Sequence, residues 1–205
     1  MKFKICGMRD FENIKTISVL KPDYMGFIFW EKSSRYIKKE TPSLPKEINK
    51  TGVFVDASIN YIKKTIETHN LKTIQLHGDE TPEYCSQFYK FGVKVIKAFK
   101  ISKDFDFIRL KSYEKNCNLF LFDSKGKLPG GNGYNFDWKV LKNYKYEKPF
   151  FLSGGIGIEN VNEIHKLSKS KLPIYGVDVN SKFERNPGIK KLNELEQFKN
   201  KLYEL

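Results

Sequence analysis

Short apolar runs alternate with longer stretches of helical period along all 205 residues, and this alternation constrains the fold more than any other feature. The runs occupy residues 2–6, 24–29, 52–56, 73–77, 93–99, 119–123, 150–153 and 175–179. They are apolar nearly throughout, the pattern of parallel strands covered on both faces. Between them, apolar residues recur three or four positions apart. One stripe is Ile59, Ile62 and Ile66; another is Val161, Ile164 and Leu167; a third is Ile189, Leu192, Leu195 and Leu202. Such spacing puts each stripe on one face of a helix. Helix starts are marked by Asp10 ahead of Phe11, Ile14 and Ile17, and by Thr81-Pro82-Glu83. The second combines a capping hydroxyl, Pro at the first helical position and an acid in the first turn.

Eight such units of about 25 residues fit a single-domain (β/α)8 barrel of the α/β class, near its lower size limit. The competing architecture, a doubly wound open sheet, requires a Gly-rich phosphate turn after strand one. Strand one instead ends in Cys6-Gly7-Met8-Arg9, and the Gly-rich segments follow strands six and seven. The barrel is therefore expected. No shift in composition and no linker divides the chain, so residues 1–205 read as one domain.

Charge raises a different possibility. The 37 Lys+Arg against 24 Asp+Glu give a net charge of +13 and a pI of about 9.5, which suggests a nucleic-acid partner. The basic residues are scattered, however, in short pairs such as Lys38-Lys39, Lys63-Lys64 and Lys190-Lys191. They read as a solvated surface, and no nucleic acid is expected. No apolar stretch approaches the roughly 20 residues of a membrane-spanning helix, so no membrane partner is expected either. The first ten residues lack a signal-peptide core. Cys6, Cys85 and Cys117 are odd in number and show no CxxC spacing, which fits a reducing, cytoplasmic compartment without disulfides or zinc. His69 and His165 fall on expected helices without partners at ligand spacing, and no metal site is read.

In a barrel the active site forms at the C-terminal ends of the strands. That rim reads Cys6, Phe29 with Ser33-Ser34-Arg35, Asp56, His77, Phe99, Asp123, Ser153 and Asp178. Ser153-Gly154-Gly155-Ile156-Gly157 after strand seven, with Asn180-Ser181 after strand eight, suggests a phosphate site of backbone and side-chain donors. Arg35 is a candidate bidentate clamp for a carboxylate. Cys6 and Asp123 form a candidate acid/base pair, suited to moving protons; Cys6 would need a lowered pKa from Arg35 and backbone dipoles, and Asp123 a raised one from burial. Asp56 either joins this rim or caps the helix near Ser58. Cys85 and Cys117 are expected to pack as apolar groups.

Taken together, these segments resemble the phosphoribosylanthranilate isomerase family of tryptophan biosynthesis. The matching residues are Lys4-Ile5-Cys6-Gly7-Met8, Gly26-Phe27-Ile28-Phe29 with Ser33-Ser34-Arg35-Tyr36, Gly52-Val53-Phe54-Val55, and Gln75-Leu76-His77-Gly78-Asp79-Glu80. They continue with Phe122-Asp123, Gly130-Gly131-Asn132-Gly133, Phe136-Asp137-Trp138, Ser153-Gly154-Gly155, and Gly176-Val177-Asp178-Val179-Asn180-Ser181 leading to Pro187-Gly188. The resemblance implies an Amadori rearrangement of N-(5-phosphoribosyl)anthranilate without metal or organic cofactor. By the same resemblance Asp123 is the general acid that opens the ribose ring, and Cys6 the base that takes the C2 proton. Arg35 would hold the anthranilate carboxylate. Gly154, Gly155, Asn180 and Ser181 would hold the phosphate, and Asp178 would orient the sugar.

The partner implied is a small phosphorylated substrate, with monomer and homodimer both open. Ser34 stands where the family commonly has Pro, Asn180-Ser181-Lys182 where it has Ser-Ser-Gly, and Asn132 where it has Thr. These departures bear on loop order and on whether Lys182 nears the phosphate. The loop 126–133, with four glycines, is expected to order on substrate binding.

Overall fold

In a computed structural model, residues 1–124 and 137–204 are described. The loop 126–133 lies outside them. Eight parallel strands close into a barrel in sequence order. They are β1 (Lys2–Ile5), β2 (Tyr24–Ile28), β3 (Asn49–Phe54), β4 (Thr73–Leu76), β5 (Lys94–Ile101), β6 (Leu119–Ser124), β7 (Phe150–Leu152) and β8 (Ile174–Val179). Closure is made by β1 against β8, with Lys4 opposite Asp178 and Ile5 opposite Val179. The expected (β/α)8 barrel is the observed one.

The near-continuous apolar runs serve two cores. Phe3, Ile5, Met25, Phe27, Ile74, Leu76, Phe120 and Phe122 face outward into a layer shared with the helices. Alternate residues Tyr24, Ile96, Ala98, Leu119, Leu121 and Phe151 fill the barrel itself. Tyr24 and Phe151 meet edge to face with centroids 5.4 Å apart, and the Tyr24 and Tyr175 hydroxyls are 2.8 Å apart. This aromatic plug closes the interior and leaves its polar residues at the other end.

The outer layer holds α1 (Phe11–Ser18), α2 (Ile59–His69), α3 (Pro82–Ser86), α4 (Val161–Ser168) and α5 (Leu192–Tyr203). The sequence-marked starts cap as expected: Asp10 accepts from the Asn13 amide at 2.9 Å and Thr81 from the Tyr84 amide at 3.2 Å. Ser58, not Asp56, caps α2. The Asp56 carboxylate instead accepts from the Asp79 amide at 2.7 Å, tying the loops after β3 and β4 together.

Three connections depart from the regular pattern. Short 3-10 segments, Phe107–Tyr113 and Trp138–Asn143, lie between β5, β6 and β7. They bury Phe107, Leu110, Trp138 and Leu141 and, among the described residues, cover these strands without a full helix. Between β2 and β3 the chain makes only a bridge from Ile28 to Tyr36.

One stripe extends beyond its helix. Ile189 belongs to β10 (Ile189–Lys190), which pairs antiparallel with β9 (Glu184–Asn186). Pro187 and Gly188, the latter at φ +87°, turn the chain there, and α5 starts only at Leu192.

Candidate active site

Strand alternation explains which side chains reach the barrel mouth. On β1, Phe3 and Ile5 pack outward, so Lys4 and Cys6 project inward. The same parity brings Gln75 and His77 from β4, Asp123 from β6 and Asp178 from β8 to the inside. Cys6, Arg35, Asp123, Gly154, Gly155, Asp178, Asn180 and Ser181 all line one cleft at the C-terminal ends of the strands. His77, Gln75, Trp30, Ser153 and Lys182 line it too.

Cys6 is 5% exposed, and its sulfur sits against Gly26 of β2. A Cβ at Gly26 would lie 2.7 Å from that sulfur and 3.1 Å from the Cys6 Cα. Gly26→Ala should therefore displace the thiol, destabilising the fold by about 1–3 kcal/mol as overpacking does. Turnover should fall with it. Unfolding and rate measurements on the same variant check both, and an unchanged rate would mean that the position of Cys6 is not critical.

The thiol departs from the expected electrostatics. Burial pushes its pKa up, the cations Lys4 and Lys190 pull it down, and Asp178 adds to the rise; the net direction is upward. Burial outweighs the neighbouring cations, and these are lysines where Arg35 had been expected. Lys4 lies fully buried below Cys6, with its ammonium 2.9 Å from Asp178 Oδ2. Burial disfavours that charge, but Asp178 and the Cys6 sulfur hold it above the ordinary lysine value. Among the described residues Asp178 Oδ1 has no hydrogen-bond partner, so one acceptor remains for a ligand hydroxyl.

Asp123 is 4% exposed. Its Oδ1 accepts from the Ser124 amide at 2.9 Å, while Oδ2 lies 3.3 Å from His77 Nε2. Gln75 Nε2 is 3.2 Å from His77 Nδ1. With Gln75 donating there, the imidazole carries its proton on Nε2, which faces Asp123 Oδ2 without forming a hydrogen bond.

The loop after β7 turns through two left-handed glycines, Gly154 at φ +87° and Gly155 at φ +65°. A Cβ on Gly154 would stand 2.5 Å from the Ser124 amide, so a side chain is excluded by both conformation and space. The Gly157 amide donates to Asn160 Oδ1 at 2.8 Å, which leads the chain into α4. From the facing loop, Lys182 reaches Glu159 at 3.4 Å through largely exposed side chains.

Arg35 is held by Glu184 of β9. Its Nε donates to both carboxylate oxygens, at 2.9 and 3.0 Å, and Nη2 to Oε2 at 2.6 Å. Glu184 also accepts from Lys190 Nζ at 2.7 Å and from the Gly188 amide at 3.0 Å. Sequence reasoning missed this network because paired charges on short segments look like surface. It also left out Lys4, although the residue's place between the outward-facing Phe3 and Ile5 was a readable signal. His77 was visible only as a rim residue.

The chain matches known proteins along nearly its whole length. A family model described as N-(5'phosphoribosyl)anthranilate (PRA) isomerase covers residues 3–201. An N-(5'-phosphoribosyl)anthranilate isomerase of Parabacteroides distasonis is 40% identical over 204 residues, covering 97% of this chain and 91% of that protein. The crystal structure of phosphoribosyl anthranilate isomerase from Thermus thermophilus superimposes with a TM-score of 0.87 at 27% identity, covering 100% and 99% of the two chains. A structure of the same enzyme in complex with reduced 1-(o-carboxyphenylamino)-1-deoxyribulose 5-phosphate gives 0.82 at 29% identity, covering both chains completely. A lean closed barrel and full-length matches in sequence and structure lead to one conclusion: the chain belongs to the N-(5'-phosphoribosyl)anthranilate isomerase family.

Proposed function

We propose that the cleft carries out the Amadori rearrangement of N-(5'-phosphoribosyl)anthranilate to 1-(2-carboxyphenylamino)-1-deoxyribulose 5-phosphate, with Asp123 as general acid and Cys6 as general base. The observation that carries these roles is the convergence, in one cleft, of a buried thiol, a buried carboxylate, an arginine and a glycine loop. The ligand of the related complex has a phosphate at one end and a carboxyphenyl group at the other. Gly154, Gly155, Asn180 and Ser181 would take the phosphate, and Arg35 the carboxylate. Asp178 Oδ1 would accept from a sugar hydroxyl.

The proton inventory closes on these two groups. Asp123 protonates the ribose ring oxygen as its bond to C1 breaks, and the nitrogen lone pair forms the Schiff base. Cys6 thiolate then removes the C2 hydrogen, and the released pair makes the C1–C2 double bond of an enolamine. The C2 hydroxyl gives up a proton as C1 takes one, leaving the ketone and returning acid and base to their starting states. His77 Nε2, 3.3 Å from Asp123 Oδ2, is close enough to favour the carboxylate once Asp123 has given up its proton.

A thiol raised by burial is mostly protonated at neutral pH. The arm of kcat/KM that reports the free-enzyme thiolate should therefore still be rising at pH values where an unburied cysteine would already level off. In the complex, the Schiff-base cation pulls the thiol down, so kcat should depend less on pH than kcat/KM. Paired pH–rate profiles measure this, and an equally steep rise with pH in Cys6→Ala would count against Cys6 as the base. The assignment as a whole is tested by turnover of N-(5'-phosphoribosyl)anthranilate. Conversion to the ketose is expected, and folded protein without activity would overturn it.

A further inference from the structure

We propose that Glu184 and Lys190, on the hairpin β9–β10, are positioning residues that set the two anion-binding ends of the cleft in register. The proposal rests on the roles given above to Arg35 and Asn180. It starts from how a guanidinium divides its donors. Glu184 takes the side-on fork of Arg35, Nε with Nη2, at 2.6–3.0 Å. The end-on fork, Nη1 with the second Nη2 hydrogen, is left for a carboxylate approaching in the same plane. Arg35 lines the cleft with its side chain only 13% exposed, and Glu184 is 5% exposed. The fork is thus aimed by a buried partner before any ligand arrives, which removes an ordering cost from binding.

Lys190 does the corresponding work on the other side. Its fully buried ammonium donates to Asn180 Oδ1 at 2.6 Å and to the Asn180 carbonyl at 3.2 Å, as well as to Glu184. An ammonium only donates, so it fixes which end of the Asn180 amide faces it. Nδ2, a donor suited to phosphate, is the end turned away. Gly7 completes the junction: a Cβ there would fall 2.6 Å from Asn180 Oδ1 and 2.7 Å from Arg35 Cδ. One hairpin and one glycine therefore hold both ends together.

The charge states agree with this arrangement. Burial would raise Glu184, yet the bonds from Arg35, Lys190 and the Gly188 amide hold it below the ordinary carboxylate value. Burial pushes Lys190 down to about 8 against the pull of Glu184.

The test is steady-state kinetics on full-length Glu184→Gln, Arg35→Met and their double variant, with inorganic phosphate as a competitive probe that carries no carboxylate. Releasing a charge-assisted bidentate contact should raise KM at least about tenfold in Glu184→Gln, with kcat changing less than about threefold. The double variant should be no worse than Arg35→Met alone, because both act through one guanidinium. Lys190→Met should weaken inhibition by phosphate at least about fivefold, and this loss should not add to that of Asn180→Ala.

If Glu184→Gln fails to fold, Glu184→Asp carries the test, since it keeps the buried charge and only withdraws the carboxylate. The same rise in KM is expected. An unchanged KM in Arg35→Met would overturn the role of Arg35 itself. A raised KM in Arg35→Met with wild-type KM in the Glu184 variants would overturn the positioning role alone. Full additivity of the pairs would overturn it as well.

Discussion

Asp123→Asn should lower turnover at least about 10²-fold, the scale of one general acid, or about 2.7 kcal/mol of barrier. The substitution keeps shape and volume. An asparagine oxygen can still accept from the Ser124 amide as Oδ1 does now at 2.9 Å, so the end of β6 has no reason to shift. What is lost is a transferable proton beside the ribose ring oxygen. Substrate binding should change far less than kcat, because Arg35 and the phosphate loop are untouched. Thermal unfolding, KM and kcat on one preparation separate these effects. A rate within a few-fold of the unmodified protein would remove Asp123 from the mechanism.

Cys6→Ala should cost turnover at least about as much, again about 10²-fold or more. Alanine fits the small space opposite Gly26, where the sulfur now packs, so the stability loss should stay near 1 kcal/mol or below. Cys85 and Cys117 are both buried, and burial pushes each thiol up to about 12. Neither is in a position to substitute as base. Cys6→Ala with Asp123→Asn should lose less than the product of the single losses, because the two groups serve one proton inventory. Near-normal rates in Cys6→Ala would show that another group takes the C2 proton.

How far the sequence carried the reading differs from element to element. Each strand carries an apolar run, as strands covered on both faces do, so all eight were legible, with ends off by a few residues at most. The helices were less so. Between β5 and β6, and in the described residues between β6 and β7, Phe107, Leu110, Trp138 and Leu141 cover the sheet from 3-10 turns, and periodicity cannot distinguish these from one turn of α-helix. The hairpin β9–β10 was illegible because its strands hold three and two residues and Ile189 stands at helical spacing from Leu192.

Site residues followed the same logic. Those at strand ends were found, since the fold class says where to look. Glu184 and Lys190 were not. A buried charge is recognisable only once its counter-ions are known: Arg35 comes to Glu184 from the loop after β2, 149 positions away, and Lys190 from the other strand of the hairpin. The direction of the Cys6 shift also failed from sequence: a cation count near a thiol says nothing of the desolvation that outweighs it.

The +13 charge now has a clearer distribution. Lys4, Lys97 and Lys190 are buried and paired with Asp178, Glu80 and Glu184. Among the described residues the other lysines are exposed or half-buried, and they give at most a mild attraction for an anionic substrate.

Proton transfer through a base at C2 is the core of the proposed chemistry, and solvent labelling tests it directly. Turnover of N-(5'-phosphoribosyl)anthranilate in D2O should give product carrying deuterium at C1, above the level of an enzyme-free product control. The same deuterated product formed by Cys6→Ala at the rate of the unmodified protein would contradict Cys6 as the proton-abstracting base.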